Sequence, residues 1–275
     1  MPMDRRFFLI QPPQRTGAPS DMKRLLLVLA FMGAASAARA DTLILEPVAD
    51  ATLFQPSAGN AETADSRGPH LFVGRIAQGT RRRALLRFDL STLPSGASID
   101  GARLELSVSR TISGVVGVNV HRVTAPWREG DADAGTPGGQ GTIPGDDDPT
   151  WSQRAFPATP WTTLGGDVVA LASGQFTLDG ETRVIVPASA AMLADLQAWA
   201  ADATSNHGWA LISDETQTPP TAKRLESAQA ANPAARPLLV IDYQVPPRVP
   251  VPVGGAVATL ALVLSLWLLA ARRPR

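Results

Sequence analysis

The chain has 275 residues, no cysteine, and 25 basic and 25 acidic residues. The lack of cysteine excludes a disulfide framework and thiolate chemistry. Basic residues are concentrated at the two ends, so residues 41–250 carry 23 acidic and 16 basic residues, a net charge of about −7. This acidic central part argues against nucleic acid as a partner and against attraction to anionic lipid headgroups.

Residues 1–40 end in the three-part pattern of an export signal. A basic segment at 22–24 is followed by the apolar run 25–32 and by the small-residue sequence Ala-Arg-Ala at 38–40. This order predicts a secretory signal peptide that is cleaved before Asp41. A retained membrane helix is the alternative, and the shortness of the apolar run argues against it.

The residues before this signal form an N-terminal extension. Arg5 and Arg6 resemble a twin-arginine export motif, but they lie far upstream of the apolar run. We therefore favour Met22 over Met1 as the true start of the chain.

Residues 41–243 have the period-two alternation of half-buried strands. Leu104, Leu106 and Val108 alternate with polar residues, and the segments 85–90 and 116–121 have the same pattern. One apolar face on every second residue is typical of antiparallel strands, and Gly/Pro-rich turns separate the runs. The pattern predicts an all-β domain, a β-sandwich. Further short apolar runs lie at 184–186, 209–212 and 238–241.

One segment departs from this alternation. In residues 188–201, Met192, Leu193, Leu196 and Trp199 recur at helical spacing. This spacing predicts a short helix that packs its apolar stripe across one edge or end of the sandwich.

Eight segments and Trp127 follow one another in a recognisable order. The segments are 83–94, 96–99, 102–108, 120–123, 148–154, 160–167, 208–211 and 236–243, with Trp127 between the fourth and fifth. This order resembles a known family, the DNRLRE-type domain, over residues 41–243, and the nearest text to the family's name-giving hexapeptide is Lys-Arg-Leu-Glu at 223–226. The resemblance implies a jelly-roll β-sandwich, grouped among the carbohydrate-binding modules, and an extracellular, non-catalytic module. We expect no enzyme domain beside it, so adhesion or envelope architecture is an alternative to sugar binding.

The C-terminal end has the pattern of a membrane anchor. A Pro-rich linker at 244–252 leads into an uncharged run at 253–271, and the basic tail Arg-Arg-Pro-Arg follows at 272–275. Nineteen helical residues span about 28 Å, close to the hydrocarbon thickness of a bilayer. The pattern predicts a transmembrane helix with a cytoplasmic tail and an exported domain.

The same end resembles the tripartite sorting tags of Gram-negative bacteria. Exosortase-type tags usually carry Val-Pro-Glu-Pro, whereas this chain has Val-Pro-Val-Pro at 249–252. Gly254 and Gly255 instead suit a rhombosortase-type tag, and a plain single-span anchor is the third alternative. The resemblance implies a sorting protease as a partner. The domain is then either held outside the inner membrane or released to the cell surface after tail processing.

We predict no catalytic residue. His70, His121 and His207 stand apart in the sequence, and no Gly-x-Ser-x-Gly motif is present. Carboxylates are numerous, so a polysaccharide-processing enzyme remains a third and weaker hypothesis.

Arginines are the first candidate ligand-binding residues. Arg81, Arg82 and Arg83 lie on one predicted strand with Arg87, where they would form charge-assisted hydrogen bonds to carboxylates of an acidic polysaccharide. The alternative is an ordinary charged strand face or protected edge, paired with nearby acids.

Tryptophans are the second candidates, because sugar rings stack on aromatic rings. We expect Trp151 and Trp209 to lie in the core. Trp127 and Trp161 are the better candidates for partial exposure and hence for ligand contact, with core or loop packing as the alternative.

Acidic loops supply the only metal hypothesis. Clustered carboxylates in Gly/Pro-rich loops suit a structural calcium ion, although their spacing does not match an EF-hand. A plain solvated acidic loop is the alternative. The residues are Asp131, Asp133, Asp146, Asp147 and Asp148.

The leading hypothesis is therefore a secreted, membrane-anchored, non-catalytic surface protein that binds polysaccharide. A structural or adhesive envelope protein without sugar specificity is the alternative.

Overall fold

The computed structural model describes residues 39–216 and 220–246. The predicted transmembrane helix and basic tail lie outside these residues, as does the predicted signal peptide apart from Arg39 and Ala40, which begin β1. Within them, none of the helices is long and apolar enough to span a bilayer. The strands of the described residues are β1 (Arg39–Leu45), β2 (Ala49–Phe54), β3 (Ala64–Asp65), β4 (His70–Arg75), β5 (Arg81–Arg87), β6 (Ser98–Thr111), β7 (Val116–Arg122), β8 (Gln153–Ala155), β9 (Thr159–Pro160), β10 (Gly174–Leu178), β11 (Arg183–Pro187), β12 (Trp209–Ser213), β13 (Lys223–Glu226) and β14 (Leu238–Val245).

Twelve of these strands form one curled antiparallel sheet. The strands follow the order β1-β14-β6-β13-β4-β5-β12-β7-β10, while β11 pairs with β6, and β2 pairs with β3 and β5. Strand β6 is long enough to pair with β14 through Leu104 and with β13 through Val108. The path then reaches β5 only through Gly74 and Arg75 at the end of β4. The prediction of an all-β domain is confirmed at this level.

The main core is enclosed by this curled sheet. Leu86 of β5 and Leu104 and Leu106 of β6 are fully buried there, as their alternation predicts. Strands from both ends of the path, such as β14 and β10, contribute side chains to the same core. Burial of these apolar surfaces is the main force that holds the sheet in its curled form.

The predicted helix is present as α1 (Ala190–Ala201). It begins two residues later than predicted because Ser189 is its N-cap, with its hydroxyl accepting the Met192 N–H at 3.1 Å. Its buried stripe packs on the main core, where the rings of Trp199 and Trp209 lie 4.7 Å apart. Asp195 of α1 accepts a hydrogen bond from the Trp209 indole N–H at 2.9 Å.

A second core lies on the opposite face of β2 and β5. Leu53 and Leu85 point away from the main core and pack against tryptophans of the long segment 123–173. That segment contains only the short strands β8 and β9. Both faces of β5 are therefore largely covered, and Arg87 at its end is the residue of this strand that lines a cleft.

Candidate functional site

The four candidate arginines of β5 do not share one face. Side chains alternate along a strand, so Arg82 points opposite to its neighbours Arg81 and Arg83. Arg82 is 4% exposed, and its guanidinium carbon lies 4.8 Å from the ring centre of Phe54. Burial lowers the pKa of Arg82 to about 10. The Arg82 guanidinium therefore makes its contacts inside the domain, where Nη1 donates a hydrogen bond to the Thr80 hydroxyl at 3.0 Å.

Arg83 and Arg81 share one carboxylate, Glu215. Arg83 donates two parallel hydrogen bonds of 2.8 Å to the two carboxylate oxygens, and Arg81 Nε lies 3.5 Å from Glu215 Oε2. Arg83 also stacks over Trp151 at 4.9 Å and donates to the Gly165 carbonyl at 2.8 Å. These two arginines follow the alternative of a charged face paired with an acid.

The expected exposure of Trp127 and Trp161 is wrong. They are only 2% and 4% exposed, because the outward face of β2 and β5 is apolar and these rings cover it. The Trp127 indole N–H donates to the His207 carbonyl at 2.8 Å, and that of Trp161 to the Thr150 carbonyl at 3.0 Å. Neither ring presents a face on which a sugar can stack.

Arg87 is the candidate arginine that also borders a cleft. Its guanidinium carbon lies 5.4 Å from the ring centre of Trp127, and its Nη1 donates to the Trp127 carbonyl at 3.2 Å. Burial lowers its pKa, while the charges of Glu129 and Asp89 oppose that shift. Among the described residues, the Trp127 carbonyl is the only hydrogen-bond acceptor of this side chain.

The cleft beside Arg87, which we call the end cleft, has a volume of about 860 Å³. It lies between residues 88–99, which connect β5 to β6, and the C-terminal part of α1. Its size is within the range of small-molecule and saccharide sites. Its wall combines apolar Phe88 and Trp199 with polar Gln197 and Asn206.

Two polar features of the end cleft are fixed by the fold. The indole N–H of Trp199 is buried and has no hydrogen-bond partner among the described residues. The Asp89 carboxylate accepts hydrogen bonds from the backbone N–H and hydroxyl of Ser91, at 2.9 and 2.8 Å, and these bonds lower its pKa. The cleft thus presents the ionised Asp89 carboxylate beside the Arg87 cation, with the Trp199 ring in its wall.

A smaller cleft of about 350 Å³ lies beside Trp127. Arg128 and Asp147 form an exposed ion pair in it at 3.1 Å. Arg154 donates to the Pro126 carbonyl at 2.7 Å. An exposed pair of this kind contributes little stability.

The five candidate calcium ligands do not converge. Asp131, Asp133 and Asp146 are exposed, and Asp147 is half-buried with a positive φ of 69°. Asp148, in contrast, is fully buried, so it is not part of a solvated loop. In residues 39–216 and 220–246, no group of three or more His, Cys, Asp or Glu side chains is arranged to hold a metal ion.

Two further buried carboxyl groups, those of Asp50 and Asp65, were not among the residues predicted from the sequence. Asp50 and Asp65 are 1% and 2% exposed, and burial is the main cause that raises their pKa values to about 8 and about 6. Neither residue lines either cleft. The available signal was an acidic residue at an inward position of the apolar run that became β2.

Neither the models of known protein families nor the curated proteins gave a match to this chain.

Proposed function

We propose that this chain is an exported, membrane-anchored, non-catalytic surface protein that binds polysaccharide in the end cleft. The observation that carries the proposal is the end cleft itself, about 860 Å³ in volume, with Arg87, Asp89 and the Trp199 ring in its wall. A saccharide has hydroxyl groups that can bond to Arg87 and Asp89, and apolar C–H faces for the Phe88 side of the cleft.

We also propose a membrane anchor and a processed tail for the C-terminal part of the chain, which lies outside the described residues. A jelly-roll topology of the DNRLRE type agrees with the curled antiparallel sheet, and the C-terminal apolar run would anchor it in the inner membrane. A sorting protease that processes the tail would release the domain to the cell surface. A bound calcium ion is not needed for the geometry of the end cleft.

A structural or adhesive envelope role without sugar specificity is the second candidate. It is favoured by the burial of all five tryptophans in the described residues, which leaves no aromatic platform on the surface. We include no reaction in the proposal, because the buried carboxyl groups of Asp50 and Asp65 lie away from both clefts.

A steric block of the end cleft tests the proposal. Ala200 and Ala194 are both exposed alanines of α1, but only Ala200 lines the cleft. The full chain and the two variants Ala200→Trp and Ala194→Trp are titrated with a panel of neutral and acidic polysaccharides, with and without Ca²⁺. We expect saturable binding that Ala200→Trp weakens at least about tenfold, or about 1.4 kcal/mol, and that Ala194→Trp leaves unchanged.

Equal binding by both variants would move the contact away from the end cleft. An absence of binding to every polymer would favour the structural or adhesive role instead.

A further inference from the structure

The segment 129–148 is fastened to the region around β3 by backbone hydrogen bonds. The Ser66 N–H donates to the Ala132 carbonyl at 2.8 Å. Ala64 and Thr142 exchange two further bonds of 3.0 and 2.9 Å. These neutral bonds fix the position of the segment, and they contain no group that titrates.

Arg67 donates two more hydrogen bonds to the segment, from its backbone N–H to the Ala132 carbonyl and from its Nε to the Gly130 carbonyl, and carboxyl groups make further attachments. Asp65 Oδ1 accepts the backbone N–H groups of Gly68 and Ala134, at 2.9 and 3.1 Å. Its second oxygen, Oδ2, is buried and has no hydrogen-bond partner among the described residues. A buried carboxylate oxygen without a partner is costly when it is charged, so this site favours the neutral acid.

Asp148, the last residue of the segment, is hydrogen-bonded to Ser66, which directly follows β3. Its Oδ1 accepts the Ser66 hydroxyl at 2.7 Å and the Ala132 N–H at 3.2 Å. Its Oδ2 accepts the Gly145 N–H at 2.7 Å. The charge of Asp148 contributes to the raised pKa of Asp65.

Glu129, the first residue of the segment, lies beside Asp50 of β2. Glu129 Oε1 accepts the Asp50 N–H at 2.9 Å, and Glu129 Oε2 lies 2.8 Å from Arg67 Nη1. The Asp50 carboxylate accepts the Ala228 N–H at 2.7 Å. Burial raises the pKa values of both Asp50 and Glu129.

Among the described residues, acidic groups outnumber basic groups where the segment 129–148 packs against β2 and β3. Two cations face it, the half-exposed Arg67 and the half-buried Arg87, which acts on Glu129. The acidic groups that face it from β2, from β3 and from the segment itself are Asp50, Asp65, Glu129, Asp131, Asp133 and Asp148.

The direction of the pH effect follows from the raised pKa values. The ordinary pKa of an aspartic acid side chain is 3.8, and in the folded domain the pKa values of Asp50 and Asp65 are about 8 and about 6. The folded state therefore keeps protons that the unfolded or released state loses. Its stability falls as pH rises above 4, and the loss is complete only above about pH 8.

We propose that the segment 129–148 is a pH-controlled cover, closed over residues 64–68 in mildly acidic solution and released in alkaline solution, where repulsion among its buried carboxylates outweighs its hydrogen bonds. Asp147 of this segment lines the smaller cleft, so release of the cover opens that cleft as well. The proposal does not depend on polysaccharide binding.

Hydrogen exchange of the full chain tests the proposal. Protection of backbone amides is measured at about pH 6 and about pH 8.5 and corrected for the intrinsic pH dependence of exchange. Since one pKa unit corresponds to a factor of ten, we expect residues 129–148 to lose protection by at least about tenfold at the higher pH. Amides of β6 and β14 serve as the internal control and should keep their protection.

Matched variants separate the buried acids from other titrating groups. Asp50→Asn and Asp65→Asn remove the charge and keep the side-chain shape, so each should reduce the pH difference in protection. Asp167→Asn is the control, because Asp167 accepts the Thr162 and Thr163 N–H groups in an exposed turn. It should retain the full difference.

Equal corrected protection of wild-type residues 129–148 at the two pH values would overturn the proposal, whether or not the variants fold. A full pH difference that persists in both Asp50→Asn and Asp65→Asn would also overturn it.

Discussion

The guanidinium groups of β5 show what a run of basic residues becomes when distant segments pack against it. In the sequence, three consecutive arginines predict a basic patch. In the fold, the carboxylate of Glu215 and three aromatic rings, all from other segments, occupy the positions that a ligand would take. The aromatic stacks pair Arg82 with Phe54, Arg83 with Trp151, and Arg87 with Trp127.

The Arg83–Glu215 pair gives a prediction at this scale. The side chains of Arg83 and Glu215 are 15% and 11% exposed, so Arg83→Ala leaves a mostly buried carboxylate without its main partner. We expect a loss of about 3 kcal/mol in the free energy of unfolding, measured by urea denaturation.

Arg128→Ala is the matched control for Arg83→Ala, because it breaks an exposed pair with Asp147, and it should cost less than about 1 kcal/mol. Equal losses for the two variants would contradict the structural role of Arg83.

At the scale of elements, the segment 123–173 acts as a second layer on the sheet. Its three tryptophans bury the outward faces of β2 and β5, although only β8 and β9 give it regular structure. This layer is what prevents Trp161 from serving as a sugar platform.

We therefore expect substitutions of Trp161 to change the stability of the domain and to leave polysaccharide binding unchanged. Trp161→Ala should lower the free energy of unfolding by about 3 kcal/mol, because it leaves a cavity against Leu53 and Leu85. Trp161→Phe should lose less, chiefly the hydrogen bond to the Thr150 carbonyl, and should bind polysaccharide as the wild type does. Abolished polysaccharide binding in a folded Trp161→Phe variant would show that this ring contacts the ligand.

The elements with strong local periodicity were predictable from the sequence. Alternation identified β6 and β7, a short apolar run marked β14, and helical spacing identified α1, since each of these packs apolar side chains on the main core. The burial of Trp127 and Asp50 was not predictable. It depends on which loop covers the outer face of the sheet. Contacts between residues far apart in sequence determine the position of that loop.

The end cleft could not be predicted for the same reason. Residues 88–99 and the end of α1 are separated by about a hundred residues of sequence, and only the curled sheet brings them together. Of the candidate ligand-binding residues, Arg87 alone lines this cleft. Its neighbours at 81–83 belong to the same strand but end in other contacts.

At the scale of the whole molecule, the end cleft is larger than the cleft beside Trp127. A ligand in the end cleft would lie against the Trp199 ring and the Arg87 side chain. The central claim is therefore that polysaccharide binds against Trp199 and Arg87.

The measurement that tests this claim most directly is a nuclear magnetic resonance titration of the indole N–H signals of the ¹⁵N-labelled chain. The titrant is an oligosaccharide of whichever polymer binds in the panel, or each panel oligosaccharide in turn if none does. We predict that the Trp199 signal shifts saturably while the Trp161 signal, already bonded to the Thr150 carbonyl, stays in place. An unchanged Trp199 signal throughout the titrations would contradict the account.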